Sequence, residues 1–144
     1  MKWQLTPGKL LAEGPHIEIC ISTTRYEFNE GISVGLEFME LSVHALIDTG
    51  ASLTVINPQI AKTCKLLQTD WKDLTAVGGM TGRFPANAAA ISFPHTSLPR
   101  FDSVRVVACP IIKQPLYSCL IGRDILRKWR MIYDGPNGEL EIEV

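Results

Sequence analysis

The stretch Leu41-Ser42-Val43-His44-Ala45-Leu46-Ile47-Asp48-Thr49-Gly50-Ala51 decides the fold. Leu41, Val43, Ala45 and Ile47 alternate with their neighbours, the period-2 pattern of a strand with one face on a core. An ionisable aspartate stands where that strand ends, in a tight turn made with a small hydroxyl residue and a glycine. This is how a carboxylate is presented at the floor of a cleft. Taken alone, Asp48 also fits a turn aspartate that bonds its own backbone, an Asx-turn. The rest of the chain decides between the two.

Upstream, Ile17, Ile19 and Ile21 alternate with Glu18, Cys20 and Ser22, a half-buried strand. Ile32, Val34, Leu36 and Phe38 alternate likewise. They are expected to turn at Met39-Glu40 and to lie antiparallel to 41–47. Downstream, Asn57-Pro58 places an N-cap and a first-turn proline before a short helix over 58–66. Strands are expected over 71–77 and 83–93, around Val77-Gly78-Gly79-Met80-Thr81-Gly82. Glycines at a hairpin tip supply positive φ without steric cost.

Pro94 and Pro99 bracket a loop, 101–109 is a valine-rich strand, and 116–121 is a short apolar strand ending at Gly122. Arg123–Arg130 reads as a helix with Ile121, Ile125, Leu126 and Trp129 near one face. Asp134–Gly138 is a turn. Leu140, Ile142 and Val144 then alternate with glutamates in a last strand, whose edges stay unpaired unless something covers them. Residues 1–14, with Pro7, Gly8 and Gly14, read as an N-terminal arm, and 15–29 as an added strand. Many short strands with one or two short helices predict an all-β barrel or sandwich, a single domain over 1–144.

The 144 residues bury enough surface for a core, roughly 68–70% at this size. Net charge is −1 with no run of like charge, so neither nucleic acid nor an anionic membrane is an expected partner. No apolar segment approaches a membrane span or a signal-peptide core, and a soluble, cytoplasmic protein is expected. Cys20, Cys64, Cys109 and Cys119 are scattered without a Cys-x-x-Cys, and His16, His44 and His95 are isolated. That pattern predicts no metal site and reduced thiols.

Three segments now stand in an informative order: the apolar strand with Asp48-Thr49-Gly50-Ala51, the hairpin at Val77-Gly78-Gly79, and Cys119-Leu120-Ile121-Gly122-Arg123-Asp124-Ile125-Leu126. Together they resemble the retropepsin-like, single-lobe aspartic proteases, over about residues 30–144. The resemblance implies a closed-barrel acid-protease fold and a peptide hydrolase. It implies that Asp48 is catalytic. Thr49 would brace two active-site loops against each other, and Gly50 would let the loop turn and expose its amide to the carboxylate. Ala51 completes the loop. Val77, Gly78, Gly79 and Met80 would form a flap over substrate. Leu120, Ile121 and Gly122 would thread beneath the active-site turn, with Arg123 opening the helix. Many viral members carry an acid four positions after the aspartate, paired with that arginine; here the position is Ser52.

Aspartic proteases hold water between two carboxylates sharing one proton, and this chain has one such motif. Asp134-Gly135 lacks the intervening residue, and Asp124 lies inside the expected helix. The second carboxylate is therefore expected from Asp48 of another copy across a two-fold axis. This predicts a homodimeric aspartic endopeptidase with no cofactor, acting on extended peptide or protein substrate. The resemblance further implies that chain termini meet at the dimer interface, with Glu139–Val144 as the strand in need of a partner. The alternative is a catalytically silent module that holds an extended peptide on the same dimeric barrel.

Overall fold

The computed structural model describes residues 2–4, 9–24, 39–75, 81–111 and 117–144. The expected strand over 32–38 and the flap residues Val77, Gly78, Gly79 and Met80 lie outside them.

The elements in chain order are β1 (Lys2–Gln4), α1 (Lys9–Glu13), β2 (His16–Ser22), β3 (Glu40–Ile47), β4 (Val55–Ile56) and α2 (Pro58–Thr63). They continue with β5 (Leu67–Thr75), β6 (Thr81–Ser92), β7 (Phe101–Ala108), β8 (Cys119–Ile121), α3 (Arg123–Leu126), β9 (Arg130–Asp134) and β10 (Glu139–Glu143). The predicted all-β class holds, with three short helices rather than one or two among the described residues. The extra helix, α1, inserts Leu10 into the core at 2% exposure.

Strand order in the larger sheet is β2–β3–β8–β4–β7–β6–β5, and β2 also pairs with β6. That second pairing closes β2, β3, β8, β4, β7 and β6 into a six-stranded barrel. β5 hangs from β6 as the outer arm of a long hairpin, which runs from Leu67↔Ala88 to Thr75↔Thr81 with a bulge between Gln68 and Asp70. Closure leaves the barrel strands without open edges and turns Ile19, Ile21, Ala45, Ile91, Val106 and Ile121 into one core cluster.

β3 follows its pattern. Ala45 and Ile47 are buried, Leu41 and Val43 pack on the core, and Ser42 and His44 are exposed. Asn57 caps α2 as expected, its side chain accepting from the Gln59 amide at 3.0 Å. The helix ends at Thr63, short of the expected residue 66.

Two expectations fail at the C-terminal end. The helix expected over 123–130 stops at Leu126, and Arg130–Asp134 is a strand. Trp129 still packs where its helical face predicted, its ring 5.1 Å from that of Phe93, because the turns at Arg127 and Lys128 continue the helical path. The last strand, β10, is not an edge. It lies between β9 and β1, both antiparallel to it, with Leu140 and Ile142 buried. The segment read as an arm thus places Lys2–Gln4 against the chain's own C-terminal strand.

Candidate active site

β8 is the strand that builds the site. It runs parallel to β3, with Leu46↔Leu120 and Ile47↔Ile121 in register, and antiparallel to β4, with Val55↔Leu120. The loop after β3 and the start of α3 therefore emerge side by side. The Asp48 amide donates to the Ile121 carbonyl at 2.9 Å, and the Arg123 amide donates to the Ala51 carbonyl at 2.8 Å. Leu120 and Ile121 lie beside Leu46 and Ile47, the two residues that lead into the Asp48 turn.

Within that turn the Gly50 amide donates to Asp48 Oδ1 at 2.9 Å, and the Ala51 amide to the Asp48 carbonyl at 3.2 Å. A Cβ on Gly50 would stand 3.1 Å from Asp48 Oδ1, so glycine permits the amide's approach. Asp48 is half-buried while Thr49 and Gly50 are exposed. One carboxylate oxygen is thus fixed by the backbone, and the loop faces outward.

Arg123 stands at the mouth of the loop. Its Nη1 donates to the Thr49 carbonyl at 2.8 Å. The guanidinium holds the backbone of the aspartate loop directly, while Ser52 is exposed. The planar fork suits this: one guanidinium nitrogen is spent on the carbonyl and other donors remain.

A second layer went unread in the sequence. Thr54, fully buried at 0% exposure, donates through its amide to Asp124 Oδ2 at 3.0 Å and through its hydroxyl to Asp124 Oδ1 at 2.8 Å. The Gly122 amide donates to Thr54 Oγ1 at 3.2 Å, and the Ile125 amide to Asp124 Oδ1 at 3.0 Å. This carboxylate ties the far side of the aspartate loop to the first turn of α3. The only signals were a lone polar residue in Leu53–Ile56 and an acid in a helix's first turn, where the dipole favours it.

Gly122 has no alternative. A Cβ there would lie 2.5 Å from both the carbonyl carbon and the oxygen of Leu53. Beneath it, burial first and the Asp124 charge second push the Cys119 thiol well above its ordinary range, and burial chiefly raises Cys20 to about 11. These thiols stay protonated and serve as packing. Sequence-distant His16 and His44 meet edge-to-face at 6.0 Å, and His16 Nε2 lies 3.1 Å from Glu13. Among the described residues no three His, Cys, Asp or Glu side chains gather as a metal site, and no helix is long and apolar enough to cross a membrane.

Residues 34–128 match the family described as "gag-polyprotein putative aspartyl protease". A solved structure of a retropepsin-like aspartic protease from Rickettsia conorii is similar at 15% identity, covering 99% of this chain and 94% of that one, with a TM-score of 0.46. No curated protein matches the chain.

Proposed function

The chain belongs to the gag-type aspartyl proteases, a retropepsin-like family, and from that premise we propose that it is an aspartic endopeptidase working as a homodimer with one shared active site. The observation that carries the reading is the Asp48 loop. One carboxylate is fixed by the Gly50 amide at 2.9 Å, on a half-exposed loop, and the chain has a single such motif.

In this reading the two Asp48 carboxylates face each other across the two-fold axis and share a proton. The ionised one takes a proton from water as the water oxygen attacks the peptide carbonyl. The protonated one donates to the carbonyl oxygen, giving a gem-diol intermediate. Transfer of a proton to the amide nitrogen breaks the C–N bond and releases the amine. Thr49, exposed on the loop, braces its counterpart in the second copy. Arg123 keeps the Thr49 carbonyl in place, and the substrate is an extended peptide. Water is the nucleophile and no cofactor is required.

The test is Asp48→Asn against a peptide library, with sedimentation of both forms. The expected result is loss of cleavage with fold and dimer intact. A wild type that is active as a monomer overturns the shared site. A wild-type dimer that binds extended peptides and cleaves none between about pH 4 and 7 establishes the silent binding module instead.

A further inference from the structure

Six arginines lie among the described residues. Arg83, Arg100, Arg105 and Arg130 each pair with a carboxylate, of Asp73, Asp102, Asp70 and Glu143 in turn. Arg123 and Arg127 pair with no carboxylate among the described residues, and both are exposed.

These two are neighbours. The Arg127 amide donates to the Arg123 carbonyl at 3.0 Å, which sets them one helical turn apart on one face of α3 and the turn after it. The acid between them is spent elsewhere. Both Asp124 oxygens accept from Thr54, and Oδ1 also accepts from the Ile125 amide. Like charges one turn apart repel each other, and an anion between them relieves that repulsion. Among the described residues the fold supplies no such anion.

Their place is the mouth of the aspartate loop. Arg123 Nη1 holds the Thr49 carbonyl at 2.8 Å, one residue past Asp48, and Thr49, Gly50 and Ser52 around it are exposed. Covalent geometry puts that nitrogen at most about 12 Å from the Asp48 carboxylate. The bond to Thr49 takes one of the five guanidinium donors, so the group is aimed and still largely free. A guanidinium keeps its charge throughout the working pH range and meets a carboxylate through two parallel N–H bonds. The groove lined by Thr69, Asp70, Ser103 and Arg105 offers no comparable charge, because Arg105 is closed on Asp70.

We propose that Arg123, with Arg127 strengthening the field around it, binds an acidic side chain of the substrate and so determines which peptides are selected. The inference rests on the endopeptidase read above and adds the substrate class: extended peptides with Asp or Glu near the bond that is cut. An extended chain advances about 3.3 Å per residue, so the acid falls two to four residues from that bond. Two copies sharing one site present an Arg123 on each side, and acids before and after the bond are both favoured. The contact lies outside the reacting atoms and holds substrate and transition state alike, so it acts on KM rather than kcat.

The experiment uses the 144-residue chain and a peptide library in which one position at a time carries Glu or Gln. Two to four residues from the cut, Glu peptides are expected to exceed their Gln partners about fivefold to fiftyfold in kcat/KM. The difference should sit mainly in KM and shrink as salt rises. Arg123→Gln should equalise each pair, whatever overall rate is lost with the grip on Thr49, and Arg127→Gln should narrow the ratio. A role confined to holding the loop lowers both members of a pair equally and leaves their ratio unchanged.

If the wild type cuts Glu and Gln peptides equally at every position, or the ratio survives Arg123→Gln, the inference is overturned and the endopeptidase stands. If no peptide is cut, fluorescence anisotropy of the same labelled peptides decides. Tighter binding of Glu peptides that Arg123→Gln abolishes upholds the acidic preference while the endopeptidase reading falls, and equal binding overturns both.

Discussion

At Gly122 the chain has no room for a side chain, and the obstacle is backbone rather than a movable rotamer. Gly122→Ala must push the Leu53 carbonyl away from positions 2.5 Å from the new Cβ. We expect a loss of about 1–3 kcal/mol in urea unfolding and a larger fall in activity, because the displaced segment carries the Asp48 loop. Asp124 supplies the complementary test. Asp124→Ala strands the amide and hydroxyl of fully buried Thr54, at about 1–3 kcal/mol for each unsatisfied group. Asp124→Asn keeps one acceptor and should lose less, so denaturation midpoints should fall in the order wild type, Asn, Ala.

Thiol chemistry is a further check at this scale. Burial raises the pKa of all four thiols, but Cys20, Cys64 and Cys119 are buried whereas Cys109 is half-exposed. At pH 8 the native protein should alkylate first at Cys109, and at the other three only on unfolding. Asp48, Thr49 and Gly50 were legible because their arrangement is local. The Thr54–Asp124 lock was not, because its partners lie 70 residues apart and neither has a distinctive neighbourhood.

Among the elements, α2 was readable from Asn57-Pro58 because capping is a short-range interaction. Asn57→Ala should cost about 1 kcal/mol of stability in the same urea assay, through the lost bond to the Gln59 amide. The helix read over Arg123–Arg130 overran α3, which ends at Leu126, and the strand β9 was not anticipated. Ile121, Ile125, Leu126 and Trp129 do share a buried face, but Arg130–Asp134 shows no alternation of exposure that would mark a strand: the pattern at Met131, Ile132 and Tyr133 is half-buried, exposed, exposed. Its strand character comes from pairing with β10. That same pairing, with β1 on the other side, occupies both edges of the strand expected to need a partner at Glu139–Val144.

For the whole molecule, a dyad made by two copies predicts both concentration and pH dependence. Specific activity should fall on dilution below the dimer dissociation constant, as sedimentation at matched concentrations will show. The rate should be highest from acidic to near-neutral pH, where the paired carboxylates hold one proton between them, and decline as both ionise. A rate still climbing above about pH 9 contradicts the shared proton.

The amino-acid sequence by itself determined the strand that delivers Asp48, the loop chemistry around it, the capped helix after it and the all-β class. All of these follow from side-chain alternation and from bonds between near neighbours in the chain. Only the tertiary structure decided that β8 passes between β3 and β4, that Arg123 holds the Thr49 carbonyl, and that Asp124 reaches back to Thr54. It alone decided that β10 lies between β9 and β1. Those outcomes depend on which distant segments pair, and pairing is selected by closure of the barrel and burial of its core, which no short window of sequence contains.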